Sequence, residues 1–157
     1  MSIIRCESLC RYYQQGAIEV RALHDVDLAI DESEFVSIAG PSGSGKSTLL
    51  NMLGALDQPT SGSIWIQDEL LNGLSKSELA DVRLRRLGFV FQSYNLIPVL
   101  SARENVEFVL QLQGVAEHER RSRASEMLAN VGLADLADRR PAEMSGGQQQ
   151  RVAIARA

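Results

Sequence analysis

A chain of 157 residues with 45% apolar content fits one domain and can bury roughly 70% of the surface its unfolded form exposes. Acidic residues outnumber basic ones 20 to 16, for a formal charge of −4, and no Lys/Arg block has the length of a nucleic-acid-binding arm, which argues against nucleic acid as a partner. Neither a signal-peptide core near Met1 nor a run of about 18 apolar residues occurs, so the expectation is a cytosolic chain without a membrane span.

Residues 20–30 carry Val26, Leu28 and Ile30 in the alternation of a half-buried strand. Residues 35–39, Phe-Val-Ser-Ile-Ala, read as a buried strand that runs into Gly40-Pro-Ser-Gly-Ser-Gly45, where glycine and proline forbid regular structure. Leu49, Met52 and Leu53 then fall at helical spacing. Residues 61–66 are strand-like, 77–86 form a short helix and 87–91 a compact apolar strand, and this alternation of strand and helix favours an α/β fold. Ser101-Ala-Arg-Glu104 is a capping box, and the pattern stays helical to Val131, with Gly132 as C-cap. Met144-Ser-Gly-Gly-Gln148 opens a last helix bearing Val152 and Ile154, expected to be interrupted at Ala157. Cys6 and Cys10 lack the further ligands of a zinc site and read as reduced structural thiols; His24 and His118 stand alone as ordinary surface or boundary residues.

Gly40-Pro-Ser-Gly-Ser-Gly45-Lys46-Ser47 satisfies G-x-x-x-x-G-K-[ST] at every fixed position, between a predicted buried strand and a predicted helix. Glycines at such a bend let backbone N–H groups of Gly40, Ser42, Gly43, Ser44, Gly45, Lys46, Ser47 and Thr48 turn toward phosphate oxygens, and the helix beginning there adds its positive dipole end. In this pattern Lys46 reaches the β- and γ-phosphates of a nucleoside triphosphate and the Ser47 hydroxyl ligates Mg²⁺. Of the 16 basic residues only Lys46 and Lys76 are lysines, and one of them occupies the single position where the motif demands it. The same scarcity rules out the guanine-reading Asn-Lys-x-Asp of GTPases.

Ser145, Gly146, Gly147 and Gln148 also precede a helix, so they present either a second phosphate-reading turn or a plain serine N-cap followed by flexible glycines. Together with the phosphate loop, residues 144–157 resemble the signature motif of ABC ATPases, with Met144 where leucine is usual. The resemblance extends over essentially the whole chain: residues 40–50, Leu53-Gly-Ala-Leu-Asp57, Pro59-Thr-Ser-Gly62, Leu87-Gly-Phe-Val-Phe-Gln92, Asn95-Leu-Ile-Pro98 and Arg103-Glu-Asn-Val106. The wording is most similar to the lipoprotein-release, macrolide-export and cell-division branch.

The resemblance implies a P-loop NTPase of ABC type with an N-terminal antiparallel β subdomain and a helical insert, the C-terminal part of the core being absent from residues 1–157. Residues 1–91 would be the β subdomain and P-loop core, 92–144 the Q-loop and helical subdomain, and 145–157 the signature motif and the start of its helix. It implies ATP and Mg²⁺ as cofactors, Gln92 as the glutamine that touches Mg²⁺ or the attacking water, and Tyr13, with Tyr12 as rival, as the aromatic that stacks on adenine. It further implies a homodimer or pseudo-dimer with ATP sandwiched between the Lys46 loop of one copy and Ser145 to Gln148 of the other. A permease would dock from about Ser93 to Asn105, holding the subunit at the inner face of the cell membrane.

The family's Asp for Mg²⁺, catalytic Glu and switch His follow the signature helix and are not found in residues 1–157. Ile64-Trp-Ile-Gln-Asp68-Glu69 imitates the first two, but Gln67 interrupts the apolar run and the segment precedes the signature. The expectation is therefore an ATPase subunit whose chain as given hydrolyses little or no ATP, the alternative being a non-catalytic nucleotide-binding or regulatory fragment. Ser33 stands where the branch carries glycine, at a cost of about 1 kcal/mol if its turn needs positive φ.

Overall fold

The computed structural model describes residues 2–157. The chain opens with two long antiparallel strands, β1 (Ser2–Gln15) and β2 (Ile18–Asp31), joined across Gly16 in left-handed conformation at φ 62°. β3 (Ser61–Ile66) pairs antiparallel with the other edge of β1, and β4 (Glu69–Leu70) pairs with β3, giving the order β2-β1-β3-β4. The β3–β4 turn is Gln67–Asp68, both at positive φ, the twist a two-residue hairpin requires. Asp68 is thus an exposed turn residue.

β1 is not evident from its apolar pattern because it is irregular. Its register slips against β2 at several points and against β3 between Glu7 and Cys10, and Ser8 sits at φ 45°. Such bulges break the two-residue periodicity on which strand recognition relies. Inside the bulge the Ser8 N–H donates to Asp27 Oδ1 at 2.6 Å, and both cysteines are buried and unbonded to one another.

Helix α1 (Lys46–Leu53) buries Met52 and Leu53, and α2 (Lys76–Arg86) buries Leu79 and Val82. The chain divides within α2 into two compact units, residues 1–83 and 84–157. The second unit is helical: α3 (Ala102–Leu112), α4 (Glu117–Asn130) and α5 (Gly146–Arg156), with 3₁₀ turns at Ala134–Leu136 and Pro141–Glu143. Its core is Ala102, Val106, Ala124, Leu128, Leu133, Met144 and Val152. The helical stretch expected from residue 101 to 131 is two helices, broken at Gly114 with φ 82°. Gly132 at φ 70° follows α4 as a left-handed terminator.

Two expected strands are not strands. Residues 35–39 and 87–91 are irregular, with Phe35 98% exposed and Val36, Val90 and Phe91 also open to solvent. The sequence is strand-like in both places, but a strand exists only with a ladder partner, and β1 to β4 offer neither segment one among the described residues.

Ser33 lies in the turn after β2 at φ 65°, the left-handed region that penalises a Cβ. Ser33→Gly is expected to stabilise the protein by about 1 kcal/mol, read as a higher urea midpoint at unchanged slope.

Candidate nucleotide site

In the first unit, α1 begins at Gly45, held at φ 88° with no side chain capping the helix. A Cβ on Gly45 would lie 2.4 Å from the Ala22 carbonyl oxygen of β2, so only glycine lets the helix start this close to the sheet. The first helical N–H groups, at Lys46, Ser47 and Thr48, belong to the set that no helix satisfies from within, and here they open onto the loop 40–45. Residues 40–44 and Ser47 are exposed, while Gly45, Lys46 and Thr48 are half-buried.

The Lys46 side chain folds back into that loop. Its ammonium donates to the Gly40 carbonyl at 2.9 Å, the Pro41 carbonyl at 2.6 Å and Ser44 Oγ at 3.4 Å. The loop therefore carries a fixed positive charge beside free backbone donors, the arrangement that suits a polyphosphate. The loop itself brings no carboxylate: its oxygens are the backbone carbonyls of residues 40–45 and the hydroxyls of Ser42 and Ser44. The residues present thus fit a triphosphate, with the exposed Ser47 hydroxyl free for a hard cation.

At the end of β1, Tyr12 and Tyr13 face different partners. The Tyr12 hydroxyl pairs with His24 Nδ1 at 2.6 Å, with Arg21 near its ring. The Tyr13 hydroxyl donates to Asp57 Oδ2 at 3.0 Å, and the Arg11 guanidinium stands 4.5 Å from its ring centroid.

In the second unit, Gln92 and Ser93 are exposed in irregular backbone, followed by Tyr94 and Asn95, both at positive φ. Two arginine bonds hold this turn: Arg156, near the end of α5, donates to the Tyr94 carbonyl at 2.8 Å and the Asn95 carbonyl at 2.5 Å. Burial disfavours the charge of Arg156 and lowers its pKa. The Tyr94 hydroxyl meanwhile lies where a Gly146 side chain would start, 3.1 Å from that Cβ position. The segment after Gln92 is thereby tied to the helix that the Ser145 motif opens.

Ser145 caps α5 in a full capping box: its hydroxyl accepts the Gln148 N–H at 3.3 Å and its own N–H donates to Gln148 Oε1 at 2.8 Å. Ser145, Gly146 and Gly147 remain exposed. The capping box expected at Ser101 and Glu104 is present too, and hydrogen bonding to the Ser101 backbone holds the Glu104 carboxyl below its usual range.

Asn105, one turn into α3, has no exposure and spends its whole amide on one loop. Oδ1 accepts the Ile97 N–H at 2.7 Å, and Nδ2 donates to the carbonyls of Ile97, Leu100 and Ser101 at 3.2, 3.2 and 2.9 Å. The signal in the sequence is an amide placed beside Val106 on the inward face of an otherwise amphipathic helix. Asn105→Ala strands the Ile97 N–H and takes the side-chain donor from the Leu100 carbonyl, while the Ile97 and Ser101 carbonyls keep backbone donors, so it is expected to cost about 2–4 kcal/mol. Urea unfolding measures that cost, and hydrogen exchange at the Ile97 amide shows whether the loop is what opens.

The ABC transporter family model matches residues 23–157. A Thermotoga maritima protein described as an uncharacterized ABC transporter ATP-binding protein is 53% identical over 147 residues, covering 94% of this chain and 63% of its own length. The macrolide export ATP-binding/permease protein MacB of Azoarcus sp. is 50% identical over 155 residues, covering 99% of this chain and 24% of that protein. The chain thus spans less than two thirds of the length of these relatives. Among solved structures, a dimeric post-hydrolysis state of the ATP-binding cassette MJ0796, bound to ADP and Pi, matches with TM-score 0.89 and 47% identity over 98% of this chain and 68% of that one. With a family match over most of its length and this degree of identity, the chain belongs to the ABC transporter family.

Proposed function

We propose that residues 1–157 form the nucleotide-gripping part of the ATP-binding subunit of a membrane transporter. The observation that carries this is the loop 40–45: α1 starts uncapped on Gly45, and the Lys46 ammonium is anchored at 2.9 and 2.6 Å on the Gly40 and Pro41 carbonyls. In this reading the backbone from Gly43 to Thr48 and the Lys46 ammonium hold the phosphates of ATP. Ser47 holds Mg²⁺, and Tyr13 stacks on adenine. The bound metal would supply charge neutralisation at the phosphates; the chain's own contribution is to bind and orient them.

Exposure of Ser145, Gly146 and Gly147 at the start of a capped helix supports their use, with Gln148, toward the nucleotide of a second copy or a related subunit. That arrangement is a head-to-tail homodimer or pseudo-dimer, and the dimeric state named for the solved cassette favours it. A permease is proposed to dock along the stretch from Ser93 to Asn105, where Val99 is 71% exposed on a loop that Asn105 keeps rigid. The permease half of the MacB name favours the same assignment, and with it a place at the inner face of the cell membrane.

Titration of purified chain with a fluorescent ATP analogue and Mg²⁺ tests the reading. Lys46→Ala is expected to weaken binding at least about tenfold, the loss of a charge-assisted contact. Binding indifferent to Lys46→Ala would contradict the site.

A further inference from the structure

Arg11 and Asp57 enter neither the phosphate loop nor the contacts that the family resemblance assigns, yet they surround Tyr13. The Asp57 carboxylate is fully used: Oδ2 accepts the Tyr13 hydroxyl at 3.0 Å, while Oδ1 accepts Arg11 Nη2 at 2.9 Å and the Gln58 N–H at 2.8 Å. The Arg11 guanidinium, 4.5 Å from the Tyr13 ring centroid, backs one face of the ring at cation–π distance. Two residues apart on β1, Arg11 and Tyr13 share a face of the sheet.

Asp57 is itself fixed to the end of α1. The turn that follows the helix folds back on Asn51, whose carbonyl accepts the Leu56 N–H at 2.9 Å and the Asp57 N–H at 3.4 Å. One helix of eight residues, about 12 Å long, therefore opens the phosphate loop at its N-terminus and holds the tyrosine from its C-terminus. Arg11 Nε has no hydrogen-bond partner of its own, so the guanidinium is held through Nη2 on Asp57 and by the face of the Tyr13 ring.

We propose that Asp57 and Arg11 are positioning residues for the nucleotide base: the carboxylate fixes the Tyr13 hydroxyl and the guanidinium backs its ring, so that the half-exposed ring is held as a platform for adenine. The inference rests on the adenine role of Tyr13 in the proposed function. The hydroxyl bond to Asp57 and the guanidinium against the ring face together define both the tilt of the ring and its distance from α1, which a single contact does not. Because stacking gains little when the ring must first be ordered, holding it beforehand converts into affinity for the base.

Calorimetric titration of the full chain with Mg-ATP and, separately, with inorganic tripolyphosphate and Mg²⁺ separates base from phosphate binding. Asp57→Ala is expected to weaken ATP about tenfold and tripolyphosphate less than about twofold. Asp57→Asn, which keeps one acceptor, falls between. Tyr13→Phe retains the ring and the Arg11–Asp57 pair but loses the tether; it is expected to weaken ATP about threefold, and to add nothing on top of Asp57→Ala. Equal weakening of ATP and tripolyphosphate in Asp57→Ala and Tyr13→Phe, or no weakening in either, would overturn the proposal. A parent chain that binds ATP no more tightly than tripolyphosphate would overturn the adenine role of Tyr13 itself, and this inference with it.

Discussion

Gly45 is the position on which the first unit turns. Its φ of 88° and the 2.4 Å separation between its Cβ position and the Ala22 carbonyl oxygen leave no room for any other residue. That close approach lets α1 leave the sheet abruptly, with its first N–H groups unspent. A side chain there would force α1 off β2 and would move both ends of the helix: the N-terminal end, where Lys46 bends back to the Gly40 and Pro41 carbonyls, and the C-terminal end, where the turn through Asn51 presents Asp57 to Tyr13. The loop 40–45 is irregular because no regular structure would leave backbone donors free, and a polyphosphate is the ligand class that uses such donors best.

The second unit relies on a different device, the capping box, at Ser101–Glu104 and again at Ser145–Gln148. At Ser145 the two readings open in the sequence turn out to be compatible. A hydroxyl has one proton to donate and two lone pairs; accepting the Gln148 N–H uses a lone pair and leaves the proton for an incoming phosphate oxygen. The cap is what orients the hydroxyl, so the structural role is compatible with the binding role proposed for it. Buried Asn105 and half-buried Arg156 hold the backbone from Tyr94 to Ser101 without any regular secondary structure. This explains how an exposed, irregular segment keeps a defined shape.

The irregular loop 40–45 and the capped start of α5 at Ser145 were legible in the sequence because their residue types have few other uses: glycines at fixed spacing and a rare lysine define a backbone path almost by themselves. Helices α1, α2, α3 and α5 were legible from spacing and capping residues. β1 was hidden by its bulges, with Ser8 at φ 45° placing consecutive apolar side chains out of alternation. Residues 35–39 and 87–91 show the opposite failure, strand-like composition without a ladder partner, since propensity describes a segment and pairing describes its neighbours. Arg11, Asp57 and Arg156 were not legible as site residues at all, because surface arginines and aspartates are common and only their distances to Tyr13, Tyr94 and Asn95 distinguish them.

The central claim is that the unspent backbone donors at Gly43 and from Gly45 to Thr48 are a polyphosphate site. Hydrogen exchange resolved to single amides measures this directly, in the free chain and with Mg-ATP or adenosine added. The account predicts that Mg-ATP slows exchange at these amides by at least about tenfold while adenosine leaves them unchanged. Exchange there that is the same with and without Mg-ATP, or slowed as much by adenosine, would contradict it.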